Sequence, residues 1–367
     1  MTVLRAPLRS PLRSPLYGPL AGKYGNAALA LLRGKQGFAI SVPDDAVAVV
    51  DNATPANNFI GTMAQAVDRG ILVNASPPTK WLLNSSGILT SGSNLRCQYS
   101  AAGVPLGFLP EPQRTNILLN SAALATQGVT VSATTYTLSF EGTGTVTLSG
   151  VSTAGPLVGT GATDRVSLTF TPTAGSLTLT VSGTVNYANL EAGPFRTSTI
   201  VTAGSQVTRA ADNLYVDLTK VPFGAEYTVI AHAQPSPDSA TNAHVIYTVG
   251  DNTVNERHRV ANGGASGANL SSVWRTGNVA QAEITATGAP AATAFKVATA
   301  TKADDFEFVV NGTSRGTDTS GTIPASPTRL MIGHSYLLTT HWAAPIGFLA
   351  LIPERLSQAD MIARTTL

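Results

Sequence analysis

The chain predicts an all-β protein in which antiparallel β-sandwich units follow an extended N-terminal arm, with few short helices. Three observations carry that reading. Segments such as Thr145-Val-Thr-Leu-Ser149 and Ser176-Leu-Thr-Leu-Thr-Val-Ser182 alternate apolar residues with Thr or Ser, the period-2 pattern of half-buried strands. Charged residues make up only 12% of the 367, which excludes a helical bundle or coiled coil rich in Lys, Glu and Arg. A 43% apolar content with a mean hydropathy of +0.13 excludes a polar disordered chain.

The arm comes first. Pro7, Pro11, Pro15 and Pro19 recur every fourth residue, each followed by a leucine (Leu8, Leu12, Leu16, Leu20), and Arg5, Arg9 and Arg13 keep the same period. Proline fixes φ, removes a donor and disfavours helix in the residue before it, so this segment is extended. It cannot bury its leucines against itself. A flexible linker or a nucleic-acid arm is the weaker reading, since linkers rarely carry periodic leucines and the arginines lack stacking aromatics. The pattern fits a tape that docks into a partner's groove through Arg5, Leu8, Arg9, Leu12, Arg13, Leu16, Tyr17 and Leu20. Residues 1–35 carry a charge of +6 with no acid, and the remainder carries −4.

Short helices are expected at Ala27–Leu32, capped by Asn26, and at Phe59–Val67. From Trp81 onward the chain reads as strands, including Tyr136–Phe140, Arg165–Phe170, Tyr227–Ala231, His244–Val249, Ala294–Ala298 and Phe306–Val310. Asn311-Gly312 is a strong hairpin signal. A terminal helix is expected at Leu356–Arg364, with Ser357 and Asp360 as a capping pair. The single cysteine, Cys97, excludes an intramolecular disulfide. No signal-peptide pattern and no apolar run of membrane-spanning length is read from the sequence.

Three segments together resemble a family of tailed-bacteriophage structural and attachment proteins. Gly107-Phe-Leu-Pro-Glu-Pro-Gln-Arg-Thr-Asn-Ile-Leu-Leu-Asn120 is similar to that family's "G-L-L-x-E-x-x-R-T-N-L" junction. Asn189-Leu-Glu-Ala-Gly-Pro-Phe-Arg-Thr-Ser-Thr-Ile200, running into Val207-Thr-Arg-Ala-Ala-Asp212, resembles the exit of a carbohydrate-binding-module-like jelly roll. Ala303 to Gly312, with Leu330 to Gly333, is similar to a concanavalin A-like (LamG-type) sandwich. The resemblance implies an anchoring arm at 1–35, a β-rich lead-in at 36–110 that pairs in part with the C-terminal sheet, an inserted jelly roll at 111–209 and a concanavalin A-like sandwich at 210–367. It implies a virion protein assembled in the bacterial cytoplasm, a tail-fibre or tail-tip component in host attachment, or else a capsid decoration or head-fibre protein. Its partners would be other virion proteins, a host glycan and copies of itself, a trimer among the options, with no nucleic acid and no membrane insertion.

The residues themselves supply roles for these motifs. Glu111 and Arg114 bracket a proline-containing turn and are expected to pair across it, as are Arg209 and Asp212 at the second junction. No Glu-x-Asp-x-x-Glu motif of the laminarinase-like enzymes occurs, and Asp305 and Glu307 read as a solvated strand face, so no catalytic residues are assigned. The five histidines lack metal-ligand spacing, and Asp251–Glu256 reads as a polar hairpin tip more readily than as a calcium loop, so no cofactor or metal is assigned. Trp274, Arg275, Tyr336 and Trp342 are the candidates for a glycan platform, although burial is the commoner fate of scarce aromatics.

Overall fold

Alternating small polar and apolar residues produce sheets almost everywhere in the protein. The computed structural model describes residues 25–75, 79–93, 95–237, 244–263, 269–288 and 293–367. The docking residues expected in the arm, Arg5 to Leu20, lie outside these. Among the described residues the fold is all-β, a jelly-roll sandwich inserted ahead of most of a larger concanavalin A-like sandwich, with three short α-helices.

The larger sandwich packs two antiparallel sheets face to face. Its eight-stranded sheet runs in the order Thr313–Asp318, Asp305–Val310, Phe295–Lys302, Tyr227–Ala233, Ile346–Ile352, Gly37–Ser41, Ala46–Val50, Phe59–Gly61. The seven-stranded sheet runs Val279–Ala286, Asn269–Thr276, Arg257–Gly263, Val245–Gly250, Arg329–Ile332, Leu214–Asp217, Leu72–Asn74. Phe38 pairs with Leu351, so the segment just after the arm completes the C-terminal sheet. Between the sheets lie Phe38, Val229, Tyr247, Trp274, Phe306 and Trp342, all buried. The outer face of the eight-stranded sheet presents Ala39, Ala48, Ala298, Ala300 and Ala350, and helices Gly25–Leu32 and Gln358–Thr365 pack on this flat surface through Ala28, Leu32 and Met361. Small side chains there let a helix approach closely.

The jelly roll packs a four-stranded sheet (Gln127–Val131, Gly175–Ser182, Thr145–Gly150, Leu157–Val158) on a three-stranded one (Gly161–Phe170, Tyr136–Gly142, Asn186–Ala192). Val146, Leu148, Leu177 and Leu179 face inward, and the threonines between them face out. This unit and two preceding hairpins interrupt the larger sandwich between adjacent strands, since Asn74 pairs with Leu214.

Local chemistry moves three expected boundaries. The first helix starts at Gly25, which puts Asn26 inside it and not at its cap. Phe59–Val67 is not one helix: Phe59–Gly61 pairs with Ala46–Val50, and Thr62 then starts helix Met63–Asp68 through a reciprocal capping box with Gln65. The terminal helix is Gln358–Thr365, capped by Ser357, which accepts from Asp360 N at 3.2 Å. Asn311 (φ 49°) and Gly312 (φ 70°) form the expected hairpin turn, with Val310 opposite Thr313.

Candidate functional site: a cleft between the sandwiches

Two hairpins connect the lobes and build one wall of a cleft. Thr79–Leu83 pairs with Leu89–Ser93 around a turn in which Asn84 Oδ1 accepts from Ser86 N (2.9 Å) and Ile88 N (3.0 Å). Gln98–Tyr99 pairs with Pro105–Gly107. Arg96 fastens the first hairpin, donating to Thr90 Oγ1 at 2.7 Å and to the carbonyls of Lys80 and Leu82. Alternation along Thr79–Leu83 buries Lys80 and Leu82 and turns Trp81 the other way, half-exposed, where it bridges to Thr199 and packs on Tyr187 with ring centres 5.9 Å apart.

Under this wall lies a buried charge network that joins the sandwiches. Lys80 Nζ is 2.5 Å from Asp212 Oδ2 and 3.1 Å from Glu111 Oε2, and it also donates to the Leu109 carbonyl. Glu111 lies 3.3 Å from Arg209 Nη1, accepts from Ser198 N (2.5 Å) and Ser198 Oγ (2.7 Å), and its own N–H donates to Asp212 Oδ2 at 2.7 Å. Burial works against the Glu111 carboxylate, but Arg209, Lys80 and Ser198 outweigh it and hold its pKa at about 2. The expected partners are thus exchanged: Glu111 takes Arg209 and Lys80, Asp212 takes Lys80, and Arg114 lies 3.9 Å from Glu191. The reason is topological. Arg114–Asn116 and Val207–Arg209 form a two-stranded ladder with Arg114 opposite Arg209, which brings the two ends of the insertion together. Asn116 closes the joint, donating to the carbonyls of Ala188 (2.8 Å) and Ile200 (2.7 Å) and accepting from Leu190 N (3.0 Å).

The cleft above this network has a volume of about 520 Å³. Trp81, Tyr99 and Leu89 line one side, and Glu141, Arg165 and Arg196 of the jelly roll line the other. Arg165 donates to Thr197 O and Ser139 Oγ, each at 2.8 Å, which fixes the guanidinium plane. Burial lowers its pKa to about 10, opposed by Glu191, so it stays cationic at neutral pH. Burial raises the Glu141 pKa against the pull of Arg165 and Arg196. Gln98 Oε1 and Thr199 Oγ1 are buried without a hydrogen-bond partner, and both residues line this cleft. Buried polar atoms are paired in the great majority of cases, so these two are groups to which a ligand can bond. Aromatic faces beside fixed polar groups suit a sugar, whose C–H faces stack while its hydroxyls hydrogen-bond.

The sequence candidates are placed differently. Trp274 and Trp342 are each 0% exposed, and their indole N–H groups donate to Thr301 Oγ1 (2.8 Å) and Gln234 O (2.7 Å), so they are core residues and form no exposed platform. Trp274 also stacks on His258 with ring centres 4.5 Å apart. Arg275 and Tyr336 remain half-exposed on the outer face of the seven-stranded sheet. Of the expected solvated face only Asp305 is half-exposed; Glu307 is 1% exposed, and both carboxylates bind Arg355, at 2.8 and 3.1 Å, beside the terminal helix. In the loop Asp251–Glu256, Asp251 Oδ1 accepts from Thr253 N at 2.8 Å and Glu256 accepts from Gly277 N and Ala325 N. Among the described residues no group of three or more His, Cys, Asp or Glu side chains is arranged to hold a metal. Cys97 is buried, and burial raises its thiol pKa.

No known protein family matches the sequence, and no curated protein matches it. Solved structures resemble parts of the chain. The CBM40 of the IT-sialidase of Ruminococcus gnavus, bound to α2,3-sialyllactose, is 14% identical, with a TM-score of 0.35, covering 41% of this chain and 91% of its own. Domain 4 of AbnA, a GH43 extracellular arabinanase from Geobacillus stearothermophilus, in complex with arabinotriose, is 11% identical, with a TM-score of 0.31 over 42% of this chain and 73% of its own. The leech intramolecular trans-sialidase is 12% identical, with a TM-score of 0.33 over 40% of this chain and 24% of its own.

Proposed function

We propose that this chain is a non-enzymatic attachment protein of a bacteriophage particle, a tail-fibre or tail-tip component that binds a surface glycan. The observation that carries the binding role is the cleft between the sandwiches, where half-exposed Trp81 and Tyr99 face the guanidiniums of Arg165 and Arg196 across unpartnered polar atoms. The particle location is supported by the junction motifs of the sequence. Their side chains Glu111, Asn116, Arg209 and Asp212 form one joint, the arrangement an inserted jelly roll requires. The basic, proline-spaced arm is the anchor.

Two measurements test this reading. The purified chain is screened against an array of bacterial surface oligosaccharides; binding that falls with Trp81→Ala is expected, and a blank array overturns the binding role. A chain lacking residues 1–24 is expressed during infection; its absence from purified particles is expected, and normal incorporation overturns the anchor.

A further inference from the structure

The outer face of the seven-stranded sheet carries a row of arginines that, among the described residues, form no salt bridge. The cross-strand register sets Arg329 opposite Gly250, Gly250 opposite Arg257, and Arg257 opposite Arg275, so three arginines and one glycine stand side by side on four neighbouring strands. Arg259 follows on the same face. His258, Val260 and Trp274 occupy the alternate positions and fill the core, which turns the arginines outward. Like charges directly opposite each other destabilise a sheet, and the cost grows when they are drawn out of water. Yet Arg257 is only 7% exposed.

Little in the fold neutralises the middle of this row: Asp217 stands opposite Arg329 and Glu283 acts on Arg259, both at its flanks. Among the described residues none of Arg257, Arg259, Arg275 and Arg329 enters a salt bridge. Arg257 donates to the Val254 carbonyl (2.7 Å) and interacts with the Tyr336 hydroxyl, and Arg275 donates to the Asn278 carbonyl (2.8 Å). Glu256 is occupied by Gly277 N and Ala325 N at the edge of the sheet. Glu283 and Asp217 stand at the two flanks, opposite Val273 and Arg329. Two tyrosines hold the guanidinium planes: Tyr336 lies 5.5 Å from Arg257 Cζ, and Tyr215 lies 4.5 Å from Arg329 Cζ. A guanidinium held against an aromatic ring is restricted in position, and its five donors can fork onto two oxygens.

We propose that this arginine row is an oxyanion-binding site whose ligand is an acidic saccharide, held through its carboxylate or sulfate oxygens. The oxyanion class follows from the forked donors and from Arg257 and Arg275 standing side by side with no salt bridge to either among the described residues. Its assignment to a saccharide rests on the glycan-binding reading above. A nucleic acid is a poorer fit, because the two tyrosines of the row are engaged by arginines and offer no free face for base stacking. The site lies on a different surface from the cleft, and sequence reasoning reached only Arg275 and Tyr336 of it.

The test is calorimetric titration of the full chain with polygalacturonate and with dextran sulfate. Methyl-esterified polygalacturonate and uncharged dextran are the matched neutral ligands. Binding of a charged member at least tenfold tighter than its neutral counterpart is expected, weakening as salt rises. Arg275→Gln, at a half-exposed position, and the double variant Arg257→Gln/Arg275→Gln are expected to weaken it at least tenfold, with circular dichroism unchanged, while Trp81→Ala leaves it intact. Equal binding of the neutral polymers, undiminished binding by a folded Arg275→Gln, no binding of either acidic polymer, or tighter binding of oligo(dT) would each overturn the proposal. Acidic polymers that bind while Trp81→Ala changes no glycan signal support the arginine site and overturn the cleft alone.

Discussion

Lys80 Nζ lies 2.5 Å from Asp212 Oδ2, and neither side chain is exposed at all, although 131 residues separate them in the chain. The hairpin before the jelly roll is tied by this pair to the strand after it. With Glu111 and Arg209 added, two cations face two carboxylates in a sealed joint. Such a network is not a source of large net stability, because desolvation offsets most of the Coulomb gain. It is very sensitive to losing one member.

Lys80→Met is therefore expected to destabilise the protein by about 3–5 kcal/mol, since it leaves Glu111 and Asp212 short of a buried counter-charge. Urea denaturation of both chains measures this. A loss below about 1 kcal/mol would contradict the role given to Lys80.

Acid should weaken the fold in two stages. Burial lowers the pKa of His258 and of His341 to about 3, from 6.5. Both stay neutral in the folded protein while the unfolded chain takes up protons below 6.5. Their contribution is fully present above pH 6.5 and falls as the pH drops toward 3, by roughly 1.4 kcal/mol per pH unit for each. Glu111 adds a second loss as the pH falls from 4.5 to about 2, because its folded pKa is depressed and the unfolded carboxylate protonates first. Denaturant midpoints between pH 8 and pH 4 should fall steadily below pH 6.5. A flat profile would contradict neutral buried histidines.

Trp274→Ala and Trp81→Ala should separate stability from binding. The first empties a site in the core and is expected to cost about 3–5 kcal/mol. The second removes a half-exposed ring at the cleft and should cost well under half of that. Thermal melts of the two variants decide; a mild effect at Trp274 would contradict its place between the sheets.

What the sequence made legible was what recurs locally. Alternation along Thr145–Ser149 and Ser176–Ser182 announced the strands of the jelly roll, and Asn311-Gly312 announced its hairpin in the larger sandwich. Glu111, Arg114, Arg209 and Asp212 were recognisable as joint residues from their motifs, but which of them pair depends on the ladder that sets Arg114 opposite Arg209, a contact across the whole insertion. Lys80 escaped notice because a lysine in a strand usually faces water; its phase with buried Leu82 was the available signal. The same phase argument places Trp274 with buried Leu270 in the core and Arg257 with Arg259 outside. Tyr99 and Arg165 share a cleft only because two hairpins fold back onto the jelly roll, which no local pattern encodes.

The most direct test of the glycan-binding account is the affinity of wild-type protein, Trp81→Ala and Arg165→Gln for the strongest oligosaccharide on a bacterial surface array, with folding checked by circular dichroism. The account predicts a clear wild-type signal that falls at least tenfold, about 1.4 kcal/mol, in each folded variant. A signal that both variants retain in full would contradict the cleft as the binding site.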